Sequence, residues 1–313
     1  MYLKDETMED NKTLLERIQE YIEYIDNKPN TKQSYKRILE AYETYISTRT
    51  STPNRSDILK YKEYLKEHVR AASVQKYIVI IRNFYRWYHI EGYGANIAEG
   101  VKGAKIESNF KREALSVEEA KKLLARANFF AHRSLIGKRD YALVSLLLTT
   151  GLRTIEIERA DVLDIAQVDG TNVLYIMGKG HDDKDSYVKL SPKVFEIIQD
   201  YLMERSDEYV PLFISHGTKS KGERIKTRTI RGVIKELLRQ IGIDNKKFSA
   251  HSLRHTTATI SLIEGANIEE TQSLLRHKDP ATTQIYIHRL DKMRGNLEQK
   301  VSDALFEHPK KKK

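Results

Sequence analysis

Residues 251–288 read HSLRHTTATISLIEGANIEETQSLLRHKDPATTQIYIH, and the rest of the chain is organised around this stretch. It holds His251 and Arg254 three residues apart, then His277, and Tyr286 nine residues beyond His277. On a helix, positions i and i+3 share a face, so His251 and Arg254 can point at the same target. Histidine can donate hydrogen bonds to an anion, arginine can neutralise it, and a tyrosine hydroxyl can attack it. This mixture indicates chemistry at a phosphate, with Tyr286 as the nucleophile.

Composition narrows the class of partner. The 313 residues carry a formal net charge of +10 and a pI near 9.3, with +1 on residues 1–100 and +9 on residues 101–313. Such an excess fits a plain soluble surface or a nucleic-acid partner. The chain has no cysteine, which excludes disulfides and cysteine-based chemistry. No apolar run approaches ~20 residues, so we expect a soluble protein with no membrane partner. The closing HPKKKK is expected to be a solvated tail.

The first part of the chain has the pattern of a helical bundle. Residues 12–93 show four helical apolar periods with few Gly or Pro, which predicts a small all-α domain with N-caps at Asn30 and Ser73. Its polar faces hold basic residues interleaved with tyrosine: Lys32, Lys36, Arg37, Lys76, Arg82 and Arg86. These residues either form a solvated surface or contact DNA phosphates. A glycine-rich segment follows, so we place the domains at 1–105 and 114–313 with a linker at 106–113.

The second part begins with a capping box at Ser116 and helices near 116–130 and 138–150. TTGLRTIEIE then places Arg153 at a helix start, with Glu156 three residues on to orient it. Residues 162–190 alternate as strands with a GKG turn at 178–180. Helices follow near 192–205 and 225–241, and the second exposes basic side chains at Lys226, Arg228, Arg231 and Lys235.

Taken together, these motifs resemble those of the tyrosine recombinases, the integrase and Xer family. HSLR and TGLRTIE match the two arginine boxes, TTQIYIH matches the tyrosine box, and LLRH has Arg276 where the family usually has glycine. The resemblance covers residues 12–306. It implies a mainly α fold with a small antiparallel β-sheet. It also implies an N-terminal four-helix core-binding (SAM-like) domain and a C-terminal catalytic domain.

The resemblance further implies a set of roles. The catalytic residues are expected to be Arg153, Lys179, His251, Arg254, His277 and Tyr286, with Glu156 in support. The arginines and His277 would hold the phosphate, and Lys179 would protonate the leaving 5′-oxygen, with Lys184 the alternative on the same loop. A 3′-phosphotyrosine intermediate would conserve the bond energy, so neither a metal nor another cofactor is expected.

Implied partners are double-stranded DNA with paired half-sites and three further copies of the chain. We expect a monomer in solution and a tetramer on DNA, joined by a C-terminal helix whose apolar stripe runs from Met293 to Leu305. A cytoplasmic, nucleoid-associated location follows. The biological role stays open between chromosome- or plasmid-dimer resolution and mobile-element integration or excision.

Three other functions compete with this interpretation. A metallohydrolase could use His251 and His255, but Ser252 stands where the H-E-x-x-H motif needs its Glu. A DNA-binding regulator that never cuts would need only the basic faces. A type IB topoisomerase would share the tyrosine chemistry without strand exchange.

Overall fold

The computed structural model describes residues 12–50, 52–105, 113–178, 183–184, 186–245 and 247–276, together with Ser302 and Leu305. The chain divides into two compact units, Met1–Asn109 and Phe110–Lys313. This division falls within the predicted linker. The domain limits at 105 and 114 stay predictions.

Unit 1 contains the four predicted helices. They are α1 Leu14–Tyr24, α2 Pro29–Ser47, α3 Arg55–His68 and α4 Ala71–Ile90. Their inward faces form one apolar core in which Tyr42, Tyr61 and Phe84 are almost completely buried. Because these large rings pack edge to face, the bundle is rich in tyrosine without exposing most of it.

Two predicted helix starts in unit 1 are wrong by two or three residues. Helix α2 begins at Pro29 rather than after Asn30, because proline has no N–H to leave unpaired at the first helical position. Helix α4 has Arg70 as its N-cap, and Ser73 lies inside its first turn. Neither helix uses a side-chain cap.

Unit 2 is mainly helical, as predicted. Its helices are α5 Val117–Ala131, α6 Leu135–Thr150, α7 Thr154–Arg159, α8 Pro192–Arg205, α9 Thr227–Gln240, α10 Ala250–Ile263 and α11 Ile268–Leu275. The predicted capping box opens α5, since the Ser116 N–H donates to Glu119 at 2.7 Å and the Glu119 N–H donates to Ser116 Oγ at 3.1 Å. Helix α6 is central: it packs against α5, α8 and α10, and ten of its sixteen residues are buried.

A small sheet interrupts the helices of unit 2. It is antiparallel, in the order β1 Ile165–Val168, β2 Thr171–Ile176 and β3 Ser186–Lys189. Asp169 and Gly170 join β1 to β2, both with positive φ, which suits the twist of a two-residue hairpin. Val173, Leu174 and Ile176 of β2 are buried. The predicted mixture of helices with a small antiparallel sheet is therefore confirmed.

In the part of the chain that the structure describes, none of the helices combines the length and the apolar character needed to cross a membrane.

Candidate active site

The first predicted arginine lies where α6 ends and α7 begins. Gly151 caps α6 in a left-handed conformation (φ 62°), and Arg153 is the N-cap of α7. Glu156 accepts the Arg153 backbone N–H and one guanidinium N–H, each at 2.8 Å. The Glu156 side chain is 1% exposed and that of Arg153 is 31% exposed. A buried carboxylate thus fixes a partly exposed guanidinium, as the spacing predicts.

The second predicted arginine is buried and joins two segments of the unit. Arg254, on α10, is 1% exposed. Its Nη1 donates to the Gly151 carbonyl at 2.5 Å, and its Nη2 donates to the Leu275 carbonyl. Because a guanidinium is a rigid fork, these two bonds fix the end of α6 relative to the end of α11. Arg254 therefore supports the loop that carries Arg153.

Close packing keeps this joint tight. A Cβ at Gly151 would lie 2.6 Å from Leu275 Cδ2, so no other residue fits there without a shift. Thr257, one turn along α10 from Arg254, donates to the Leu148 carbonyl at 2.8 Å. The threonine hydroxyl thus bonds a carbonyl of the last turn of α6. The first contact sets the approach of α11 to the end of α6, and the second sets that of α10.

A third guanidinium completes the cluster. Arg276 ends α11 in a left-handed conformation (φ 54°), which costs an arginine about 1–2 kcal/mol compared with glycine. Its Nη1 donates to the Leu274 carbonyl at 2.9 Å, and its Nη2 lies 3.4 Å from the second oxygen of Glu156. Burial lowers the pKa of the Arg276 guanidinium, and Glu156 opposes that effect. In the sequence, Arg276 stands out only as an arginine where the family usually has glycine. A charge in a position that favours glycine was the available signal.

The histidine of HSLR lies in the first turn of α10. His251 is exposed, and its ring meets the His255 ring edge to face at a centroid distance of 4.6 Å. His255 is 4% exposed, which agrees with a packed helix residue. The structure thus places His251 and Arg254 on one helix but in different surroundings, one exposed and one buried.

The loop between β2 and β3 is anchored at both ends. Arg159, at the end of α7, donates to the Gly178 carbonyl at 3.2 Å. At the other end, the Lys184 ammonium lies 2.7 Å from Asp161 and 2.5 Å from Asp164. Burial alone would lower the pKa of Lys184, but the hydrogen bonds that its ammonium donates to these two carboxylates raise it. The sequence did not indicate that Lys184 forms this double ion pair.

Asp161 is the centre of that network. It also accepts from Arg224 at 2.5 Å, and Arg224 bonds the carbonyls of Glu158 and Ala160. Burial would raise the pKa of Asp161, but the bonds from Lys184 and Arg224 outweigh it and lower the pKa. The segment that follows α7 is therefore joined to the loop before α9 as well as to the hairpin.

In unit 1, the predicted DNA-contact residues lie on α2 and α4, which pack together. Lys76 of α4 donates to Ser34 Oγ of α2 at 2.7 Å, so the two basic faces adjoin. Lys32 bonds the Glu23 carbonyl at 3.2 Å, and Lys36 bonds Gln19 at 3.1 Å. Three further arginines are exposed or half-buried and have no ion pair within the described ranges: Arg37, Arg82 and Arg86.

In unit 2, the basic face of α9 is open to solvent. Lys226, Arg228, Arg231 and Lys235 are all exposed and have no ion pair with other residues that the structure describes. Their side chains can therefore meet an anion without first losing a partner.

Three predicted catalytic residues lie outside the described residues: Lys179, His277 and Tyr286. Among the residues that are described, the structure brings Arg153, Glu156, Arg254 and Arg276 together and holds no group of three or more potential metal-ligating side chains. The described part of the site is therefore rich in arginine, and an arginine side chain can bind an anion.

Comparisons with known proteins identify the family of this chain. Residues 113–293 match the phage integrase family, and residues 18–92 match the phage integrase N-terminal SAM-like domain. The tyrosine recombinase XerD of Rhizobium meliloti (strain 1021) is 30% identical over 281 residues, covering 86% of this chain and 88% of that protein.

Two crystal structures share the fold. XerH site-specific recombinase bound to palindromic difH substrate gives a TM-score of 0.71 at 20% identity, over 86% of this chain and 80% of that one. A lambda integrase tetramer bound to a Holliday junction gives 0.66 at 18% identity, over 88% of this chain and 78% of that one. Because two family matches and a full-length relative agree with the arginine cluster and the fold, this chain belongs to the phage integrase family of tyrosine recombinases.

Proposed function

We propose that this protein is a site-specific DNA recombinase that cleaves and rejoins strands through a 3′-phosphotyrosine intermediate. The observation that carries the proposal is a cluster of two arginines beside the end of α6: Arg153, held by the buried carboxylate of Glu156, and Arg254, held by the Gly151 and Leu275 carbonyls. Such a cluster suits a phosphodiester, whose nonbridging oxygens accept forked N–H donors. The relatives, one named as a tyrosine recombinase and one as a site-specific recombinase, support the same substrate class.

In the proposed reaction, the Tyr286 oxygen attacks the scissile phosphorus and the bond from phosphorus to the 5′-oxygen breaks. The Arg153 side chain is partly exposed, so it can reach a nonbridging oxygen while Glu156 keeps the guanidinium oriented. Arg254 already has its Nη atoms on two carbonyls and is held before DNA arrives. Positioning of this kind stabilises a charged transition state without reorganisation cost. His277 adds a hydrogen bond, and His251 assists proton transfer.

The leaving 5′-oxygen needs a proton, and we assign its donation to Lys179. The alternative, Lys184, is held by two carboxylates that raise its pKa. A general acid with a raised pKa and two close anions releases its proton less readily at neutral pH. Anchoring of the loop by Arg159 and Lys184 would limit the positions that Lys179 can take. No step in this scheme uses a metal or a nucleotide.

We further propose that unit 1 lies along the DNA backbone through α2 and α4, and that the exposed face of α9 contributes phosphate contacts. The bond between Lys76 and Ser34 supports a continuous basic surface on unit 1. Contacts of this type fix register on the duplex rather than read its sequence. Binding should weaken steeply with salt because each neutralised phosphate releases counterions.

For assembly, we propose a monomer in solution and a tetramer on paired half-sites. Leu305, in the predicted stripe of the C-terminal helix, is 71% exposed, so this side chain is available to a neighbouring protomer. The related lambda integrase, whose solved structure is a tetramer on a Holliday junction, supports the same arrangement.

Capture of covalently attached DNA from cells tests the proposed function. DNA recovered with the wild-type protein after denaturation should share one sequence with two inverted half-sites. Synthetic duplexes of that sequence, one labelled and one longer, should then exchange strands. Nicking and closing of single duplexes without exchange would instead identify a type IB topoisomerase activity.

A further inference from the structure

Arg276 shares the carboxylate that orients Arg153. One oxygen of Glu156 accepts from Arg153 Nη1 at 2.8 Å, and the other lies 3.4 Å from Arg276 Nη2. The carboxylate is 1% exposed, and the Arg276 side chain is 20% exposed. Two guanidiniums therefore meet one buried anion from two sides.

A buried carboxylate beside a DNA phosphate creates an electrostatic problem. Glu156 has to hold Arg153 in position, yet its own negative charge would repel an incoming phosphate. If Arg153 were its sole cationic partner, the Glu156 carboxylate would also attract the Arg153 guanidinium more strongly and keep it away from the phosphate. A second cation beside the other oxygen of Glu156, which also accepts the Arg153 backbone N–H, reduces both effects, because attraction between charges is strong where water is excluded.

We infer that Arg276 is a positioning residue that neutralises Glu156, so that the charge of Arg153 remains available to the scissile phosphate. The inference rests on the proposed function. It assigns Arg276 an action through Glu156 and no contact with DNA.

The backbone of Arg276 separates this role from a structural one. Its left-handed conformation is one that glycine adopts without strain. Its side chain donates to the Leu274 carbonyl within the same turn, a contact that solvent can replace because the side chain is partly exposed. Arg276→Gly relieves the left-handed strain but also removes the ion pair with Glu156, and the two effects on stability oppose each other. The comparison with the Glu156→Gln background therefore has to show that a loss of activity comes from the missing charge.

The test is a double-mutant cycle between positions 276 and 156. It is measured on DNA of the captured sequence that carries a nick, which traps the covalent intermediate. Arg276→Gly should slow single-turnover adduct formation about tenfold at saturating DNA, with half-site affinity changed less than threefold and the protein folded at the assay temperature. Arg276→Lys keeps a positive charge and should recover to within threefold of wild type. In the Glu156→Gln background there is no carboxylate charge to neutralise, so Arg276→Gly should change the rate less than twofold.

Three results would overturn the inference. They are a wild-type rate for Arg276→Gly, an equal loss in both backgrounds, or no recovery with Arg276→Lys. Should Arg276→Gly not be folded at the assay temperature, Arg276→Asn, which also tolerates the left-handed conformation, takes its place in the cycle. Absence of any Tyr286-dependent adduct with the wild-type protein is a different result, which refutes the proposed function itself.

Discussion

Replacing Arg254 by lysine tests how much its guanidinium contributes to the stability of the fold. The guanidinium spans two carbonyls, those of Gly151 and Leu275, from a side chain that is 1% exposed. A lysine ammonium can keep the positive charge but cannot reproduce the fork, so one buried carbonyl loses its charged donor. A hydrogen bond to a charged group contributes about 1.5–3 kcal/mol, and this is the destabilisation we expect for Arg254→Lys.

Arg153→Lys is the matched control, since it changes the same residue type in the same site. Arg153 is 31% exposed, and Glu156 keeps a bond from the backbone N–H of position 153 as well as the contact with Arg276. The expected cost is therefore below about 1 kcal/mol. Urea unfolding followed by circular dichroism measures both values. Equal midpoints for the two variants would refute the assignment of Arg254 as the residue that joins α6 to α11.

Three further predictions follow from the hairpin and the C-terminal helix. Lys179→Ala should cut ordinary DNA poorly and recover on a substrate with sulfur at the 5′-bridging position, because a thiolate leaves without a proton. If the sulfur substrate rescues Lys184→Ala instead, Lys184 and not Lys179 is the general acid. Lys184→Met should lower the free energy of unfolding at neutral pH. That difference in unfolding free energy should shrink below about pH 4, because Asp161, whose pKa is lowered in the folded protein, then becomes protonated. It should also shrink above about pH 10.5, because Lys184, whose pKa is raised in the folded protein, then loses its proton. A difference that does not vary with pH would show that the ion pairs contribute nothing. Truncation after Lys292 should keep binding to a single half-site and abolish cooperative binding to two in gel-shift titrations; unchanged cooperativity would mean that the helix packs within its own protomer.

Much of the fold could be predicted because the sequence carries strong periodic signals. The helical stripes of residues 12–93 and the capping box at Ser116 give elements whose type depends on local pattern. The starts of α2 and α4 were wrong because Asn30 and Ser73 are common caps, whereas Pro29 and the preceding chain determine where those helices begin. Cap identity depends on backbone angles that composition does not encode.

The site was predictable in part for a different reason. Spacing alone relates Arg153 to Glu156, because they lie three residues apart on one helix. The bonds from Arg254 to Gly151 and Leu275 join positions distant along the chain, and no local pattern reports them. The same holds for Lys184, whose partners Asp161 and Asp164 precede it by more than nineteen residues.

Formation of a covalent protein–DNA adduct is the most direct measurement of the central claim. Wild-type protein incubated in EDTA with a nicked duplex of the captured sequence should give a DNA-linked band on a denaturing gel. Tyr286→Phe should bind the same duplex with unchanged affinity and give no such band. An adduct that persists in Tyr286→Phe, or one that forms only with a divalent metal, would contradict the proposed tyrosine mechanism.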